Sequence, residues 1–291
     1  MKNHPSIEQK LEKIQNVFQQ ALYISTEKGD LVIQEHLKNI DQEFRAVAFE
    51  GVAMGLAVKD LSEGHLQQWR SFMRASDQSY VPHIHIGLGW AIAKRKLPSL
   101  FFLDTVNPLM LYRVLDGCGC YDGIFKQIQT IQNKVVPDYI EEKNIDAYDQ
   151  GIGRSLWSVC KGDHEKISNL IQGFSPSRQA DLWRGVGIAC SFVGGCSEST
   201  LNALFFSASD HSLQLALGAA IVAKSRILTN SVTKDSEMTC SIWCNLSVLQ
   251  ARTIAEEPPY AIIPEDAYKQ WLRKMEAQLL HKQIDPIRII D

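Results

Sequence analysis

Gly151-Ile152-Gly153-Arg154-Ser155 is one copy of a small-residue signature that returns along the whole chain. The other copies are Gly51-Val52-Ala53 with Gly55, Gly87-Leu88-Gly89 with Ala91, Gly117-Cys118-Gly119, Gly185-Val186-Gly187 with Ala189, and Gly218-Ala219-Ala220. Their first glycines lie 36, 30, 34, 34 and 33 residues apart. All six copies are small at the first and third positions, and four are small at the fifth. A period of this size marks stacked helix pairs, because one pair cannot bury its own apolar face. The spacing fits the tetratricopeptide class best. The expected fold is therefore all-α, a tetratricopeptide-like helical-repeat solenoid.

On a helix, positions zero and four of the signature share a face, and position two lies nearly opposite. A helical glycine costs about 1 kcal/mol relative to alanine. Six such sites need compensation, and close approach of neighbours on two sides supplies it. A phosphate-binding glycine loop would need a preceding strand and a helix start, whereas these glycines sit inside helical periodicity. Gly153-Arg154-Ser155-Leu156-Trp157 has the outline of a nucleophile elbow, but Trp157 replaces the last glycine and no strand precedes it.

Apolar spacing is helical from end to end. Ile7, Leu11, Ile14, Phe18 and Leu22 form one stripe that Gly29-Asp30 interrupts. Helical stretches follow over 31–59, 109–132 and 238–256, and Pro82 and Ser175-Pro176 mark helix starts. The division expected is a helical N-terminal extension over 1–30, a helical-repeat domain over 31–256, and a linker, C-terminal capping helix and tail over 257–291. The tail, Ile284 to Asp291, is apolar enough to dock on the body or on a partner.

Formal net charge is -3 over 291 residues, which gives no basic excess for nucleic acid. No run of 18 apolar residues exists, so no membrane span is expected. The N-terminus lacks the pattern of a secretory signal. Seven cysteines with no framework spacing fit a reducing compartment, the bacterial cytoplasm, with translocation into a host cell as the alternative. His83 and His85 would diverge by about 160° on a helix and cannot chelate together. Cys240 and Cys244 share a helical face, yet no paired motif supports zinc. No metal and no cofactor is expected.

The candidate contact residues flank two signatures: Asp149, Arg154 and Trp157 around the fourth, and Asp181, Trp183 and Arg184 around the fifth. Trp and Arg are over-represented at binding hot spots. These six would line a groove that grips another protein, such as an effector enzyme, and restrains it. Charge reversal at Arg154 is expected to weaken that binding without unfolding the chain. The alternative function is a cofactor-independent accessory enzyme or small-molecule binder, with His85 and Asp122 joining Asp149 and Arg154 in one deep pocket. No catalytic residue is assigned.

The chain resembles an uncharacterised bacterial family found in enediyne biosynthetic gene clusters. The resemblance rests on Phe49-Glu50-Gly51 through Asp60, His85 through Ala91, Leu115-Asp116-Gly117, Tyr148 through Trp157, and Leu182 through Ala189. It spans about residues 45–225, and Asp-Gln-Gly-x-Gly-Arg-Ser-Leu-Trp is its most specific string. Cys118 and Cys120 depart from it, standing where aromatics are expected. It implies a role on a polyketide-derived molecule. In size, repeat character, the Glu256-Glu257 pair and the apolar tail, the chain also resembles Legionella effectors that bind and restrain another effector. That resemblance implies type IV secretion and a protein partner.

Overall fold

A computed structural model describes residues 5–96 and 106–284, and every regular element in them is helical. Helix α1 runs Ile7–Glu27, opened by a reciprocal cap between Ser6 and Gln9, and α2 runs Asp30–Asn39. Then come α3 (Gln42–Ser62), α4 (Gln67–Ala75), α5 (Val81–Arg95) and α6 (Pro108–Phe125). Helices α7 (Ile145–Val159), α8 (His164–Gln172), α9 (Pro176–Val193), α10 (Glu198–Ala208) and α11 (Ser212–Leu228) follow. The chain continues with α12 (Lys234–Thr239), α13 (Val248–Ile254) and α14 (Ala267–Ile284).

Three stretches expected as single helices are divided. Ile40 and Asp41 adopt extended backbone and separate α2 from α3. Helix α6 stops at Phe125, and a π turn over Ile128–Gln132 follows. Within 238–256 a π turn over Cys240–Cys244 ends at Asn245, whose φ of 54° breaks the helix before α13. Pro82 and Pro176 do sit in the first turns of α5 and α9, where their missing N–H costs nothing. Ser175 holds the N-cap position, but its hydroxyl lies 3.3 Å from that of Ser177 rather than capping the helix. Pro98 and the apolar tail from Asp285 onward fall outside the described residues.

The signatures lie on α3, α5, α6, α7, α9 and α11, and each of these packs on the next. The contacts follow one rule from α5 onward. The first glycine faces the preceding helix at the carbonyl of the residue before that helix's own first glycine: Gly87 at Glu50, Gly117 at Ile86, Gly151 at Asp116, Gly185 at Gln150 and Gly218 at Arg184. The third position faces the following helix, with Gly89 at Val114, Gly119 at Tyr148, Gly153 at Leu182 and Gly187 at Leu215. At each of these sites a Cβ would come closer than 3.0 Å to a backbone atom. Backbones this close also allow Cα–H···O contacts, which recur at helix interfaces. Helix α1, expected as an extension, packs on α3 in the same manner, with Gly51 against Phe18 and Gly55 against Ser25.

The last signature helix returns to the first. Arg226 of α11 donates to the backbone carbonyls of Glu43 (2.6 Å) and Phe192 (2.7 Å), with its guanidinium 4.2 Å from the Phe192 ring. Gln42 donates to the carbonyl of Thr229. Burial lowers the pKa of Arg226 to about 10, so it stays charged at neutral pH. Helix α14 packs against α6, α11 and α13. It buries Tyr268, Trp271, Leu272, Met275 and Leu279.

The close approaches predict a contrast between two glycines. Gly151→Ala should destabilise the protein by about 1–3 kcal/mol through overpacking against the carbonyl of Asp116. Gly29→Ala, with nothing within 4 Å of its Cβ position, should cost less than about 1 kcal/mol. Denaturant unfolding of the two variants measures both, and equal stabilities would contradict the packing role.

Candidate functional site

The residue before a first glycine does a second job. Its carbonyl receives the next helix, and on three successive helices its side chain joins a buried polar row. Gln150 donates to Asp116 at 2.6 Å, and Arg184 donates to Gln150 at 2.8 Å, each link spanning 34 residues. Arg184 also donates to Asp181 (2.5 Å), Gln214 (3.0 Å) and the Tyr268 hydroxyl (3.0 Å). Arg154 pairs with the other oxygen of Asp116. Burial works against the charge on Arg154 and on Arg184. Asp116, with Cys120 and Glu50 behind it, nevertheless holds the Arg154 pKa above its ordinary value, and Tyr268 and Asp181 do the same for Arg184. Buried charges survive only when paired in this way.

These placements correct the expected contact surface. Trp157 (0% exposed), Trp183 (3%) and Arg184 (2%) are core residues, and no partner reaches them in this fold. Arg154 is mostly buried against Asp116. Charge reversal there would set like charges together in the interior and destabilise the fold itself. Helix α14 covers the row, with the Tyr268 hydroxyl 3.1 Å from the side-chain carbonyl of Gln150 and the Glu276 carboxylate accepting from Gln214 at 2.6 Å. Burial of its five large apolar side chains is worth on the order of 10 kcal/mol, so α14 is a fixed part of the body.

Asp181 instead lines an open cleft of about 380 Å³ between the starts of α7, α9 and α14, together with Asp146, Arg178 and Lys269, and Asp149 lies beneath it, fully buried behind Arg178. Arg178 grips Asp149 with two hydrogen bonds of 2.6 and 2.5 Å. Burial nonetheless raises the Asp149 pKa to about 6, because it outweighs the pull of Arg178 while Asp181 and Asp146 add like charge. With no exposed surface and both oxygens held by Arg178, Asp149 anchors the floor of the cleft rather than facing its opening.

The expected single pocket is not formed. His85 is buried edge-on to Trp69, and its Nδ1 lies 2.8 Å from the carbonyl of Val81. Burial lowers its pKa. Asp122 is buried under the hydroxyls of Tyr139 (2.5 Å) and Tyr148 (3.0 Å) and pairs with Lys126. Asp149 and Arg154 have the separate partners given above.

Two further features escaped the sequence reading. His83 lies on α5 with Nδ1 2.9 Å from Glu50 Oε1 of α3 and Nε2 2.9 Å from Ser225 Oγ of α11. Glu50 and His83 are 33 residues apart, three short of the 36-residue spacing of their signatures, so the period does not pair them. Ser225 is 142 residues from His83 and carries no pairing signal either. On another face, Phe18, Trp90, Tyr121 and Phe125 form a continuous aromatic cluster. Its ring centroids are 4.8 Å apart for Phe18–Trp90, 5.9 Å for Trp90–Tyr121 and 4.7 Å for Tyr121–Phe125. Phe125 is 62% exposed.

The cleft yields a pH prediction. Carboxyl NMR should show Asp149 titrating at about 6, and Arg178→Ala should move it higher. A raised carboxyl pKa favours the folded state below about pH 4, and that contribution is lost as pH rises through the folded value. An unmoved midpoint in the variant would remove Arg178 as the controlling partner.

No curated protein and no solved structure matches the chain. One family does, described as "Protein of unknown function (DUF1702)", its match running over residues 1–279. The six signatures, the polar row, the cleft and the aromatic cluster all fall within that span, and the chain belongs to the DUF1702 family.

Proposed function

We propose that the protein is a regulator that binds and restrains a partner protein, and that it does so through the aromatic cluster of Phe18, Trp90, Tyr121 and Phe125. The observation that carries this reading is the exposure of Phe125 at the edge of a cluster drawn from three helices. Single exposed apolar residues are ordinary, but a contiguous aromatic patch is the composition of interface cores. The partner would present an apolar anchor, such as one face of an amphipathic helix, to these rings.

The scaffold in this reading is a run of tetratricopeptide-like helical repeats whose last signature helix closes on the first, which departs from the open solenoid expected. The period near 34 residues, and the rule by which successive glycines seat on carbonyls, support it. The buried thiols suit a reducing compartment, the bacterial cytoplasm or a host cell reached by secretion. A bacterial effector is one partner that fits the restraint role. The second reading, a binder or accessory enzyme for a polyketide-derived molecule, draws its support from the cleft that holds Asp149.

The test compares wild-type protein with Phe125→Ser as baits for lysate, followed by affinity measurement on the purified partner. The expected result is one stoichiometric protein whose affinity falls by about 30-fold in the variant, the effect of losing roughly 2 kcal/mol at a hot spot, with thermal stability unchanged. Equal affinity for both baits would exclude the cluster as the interface.

A further inference from the structure

Ser225, His83 and Glu50 stand in the order nucleophile, base and orienting acid. The Ser225 hydroxyl lies 2.9 Å from His83 Nε2, and Glu50 Oε1 lies 2.9 Å from His83 Nδ1. The three come from α11, α5 and α3, which meet where the last signature helix closes on the first. Such a constellation is recognised by geometry and roles, not by chain order. Glu50 and His83 are each 6% exposed, so the imidazole is shielded and held by its carboxylate partner. Ser225 is half-buried near the end of its helix, and Leu228, one turn on, is 43% exposed. The first turn of α3, whose N-cap Asp41 makes no side-chain cap, reaches the same end of α11.

We propose that Ser225, His83 and Glu50 form an ester-hydrolysing site that takes carboxylic esters with an apolar acyl chain, the chain lying along Leu228. Ser225 Oγ attacks the ester carbonyl carbon and passes its proton to His83 Nε2. The tetrahedral adduct collapses, breaking the carbon–oxygen bond to the leaving alcohol, which takes that proton. Water then attacks the acyl-serine while His83 accepts one of its protons. The second adduct collapses by breaking the carbon–Oγ bond, which frees the carboxylic acid, and His83 returns that proton to Ser225 Oγ. Glu50 accepts from His83 Nδ1–H throughout and keeps Nε2 free to act as base. No cofactor or redox partner enters the balance. This inference is independent of the aromatic cluster.

The test treats the full-length protein with a fluorophosphonate probe and with p-nitrophenyl esters of short and medium acyl length. Peptide mass spectrometry should place the probe on Ser225, and Ser225→Ala should abolish labelling and lower ester turnover by about 1,000-fold. The medium chain should be preferred. Glu50→Gln should slow labelling while circular dichroism and melting temperature report its fold. Because that variant removes a buried partner, His83→Gln is the second variant, and it should abolish labelling of Ser225 while circular dichroism and melting temperature report its fold. Absence of label on Ser225 in the folded wild-type protein, turnover retained in Ser225→Ala, or undiminished labelling in a folded His83→Gln variant would each overturn the assignment.

Discussion

The seating of a glycine on the backbone of the neighbouring helix is the constraint from which the rest of this structure follows. From α5 to α11 the carbonyl before one first glycine receives the next. A side chain at any of these points would collide with main chain, which cannot move aside as a flexible side chain can. The helices are therefore held at close spacing by backbone contact, and their relative placement is fixed at one point per helix. The helix-propensity cost of about 1 kcal/mol per glycine is offset by the contacts that close approach allows.

That fixed spacing explains the interior polar chemistry. When successive helices meet at equivalent residues, side chains at equivalent positions also come within reach of one another. Asp116, Gln150 and Arg184 form links one period apart for this reason. A charged row in a core is tolerable because each member is paired: Asp116 by Arg154 and Gln150, Arg184 by Asp181 and Tyr268. Close packing of α3 on α5 also brings Glu50 to His83, although the two do not hold equivalent positions. With the row covered by α14, the surfaces left to function lie at the margins. Among the described residues these include the cleft at the starts of α7, α9 and α14, the aromatic face of α1, α5 and α6, and the junction of α3, α5 and α11.

The sequence was legible where one helix or one period sufficed. The helical class followed from apolar spacing, and the two-sided smallness of the signature pointed to close neighbours on both sides of each helix. Asp149 and Asp181 are expected partner contacts; Asp181 lines the cleft, whereas Asp149 is buried beneath it. Helix boundaries were less legible where backbone conformation changed without a strong sequence marker, as at Ile40 and Asn245. Trp157, Trp183 and Arg184 were misread as contacts because hot spots and cores favour the same large side chains, and only burial separates the two roles.

Sequence pattern alone carried the helical class, the spacing of the signatures and the faces on which small residues recur, since these depend on neighbours within about 36 residues along the chain. Tertiary structure alone decided that α11 returns to α3, that α14 covers the polar row, and that Ser225 meets His83 across 142 residues. Those contacts depend on small displacements and rotations summed over successive helix interfaces. No local pattern encodes such a sum, and it fixes which polar side chains are sealed inside and which remain open to a partner.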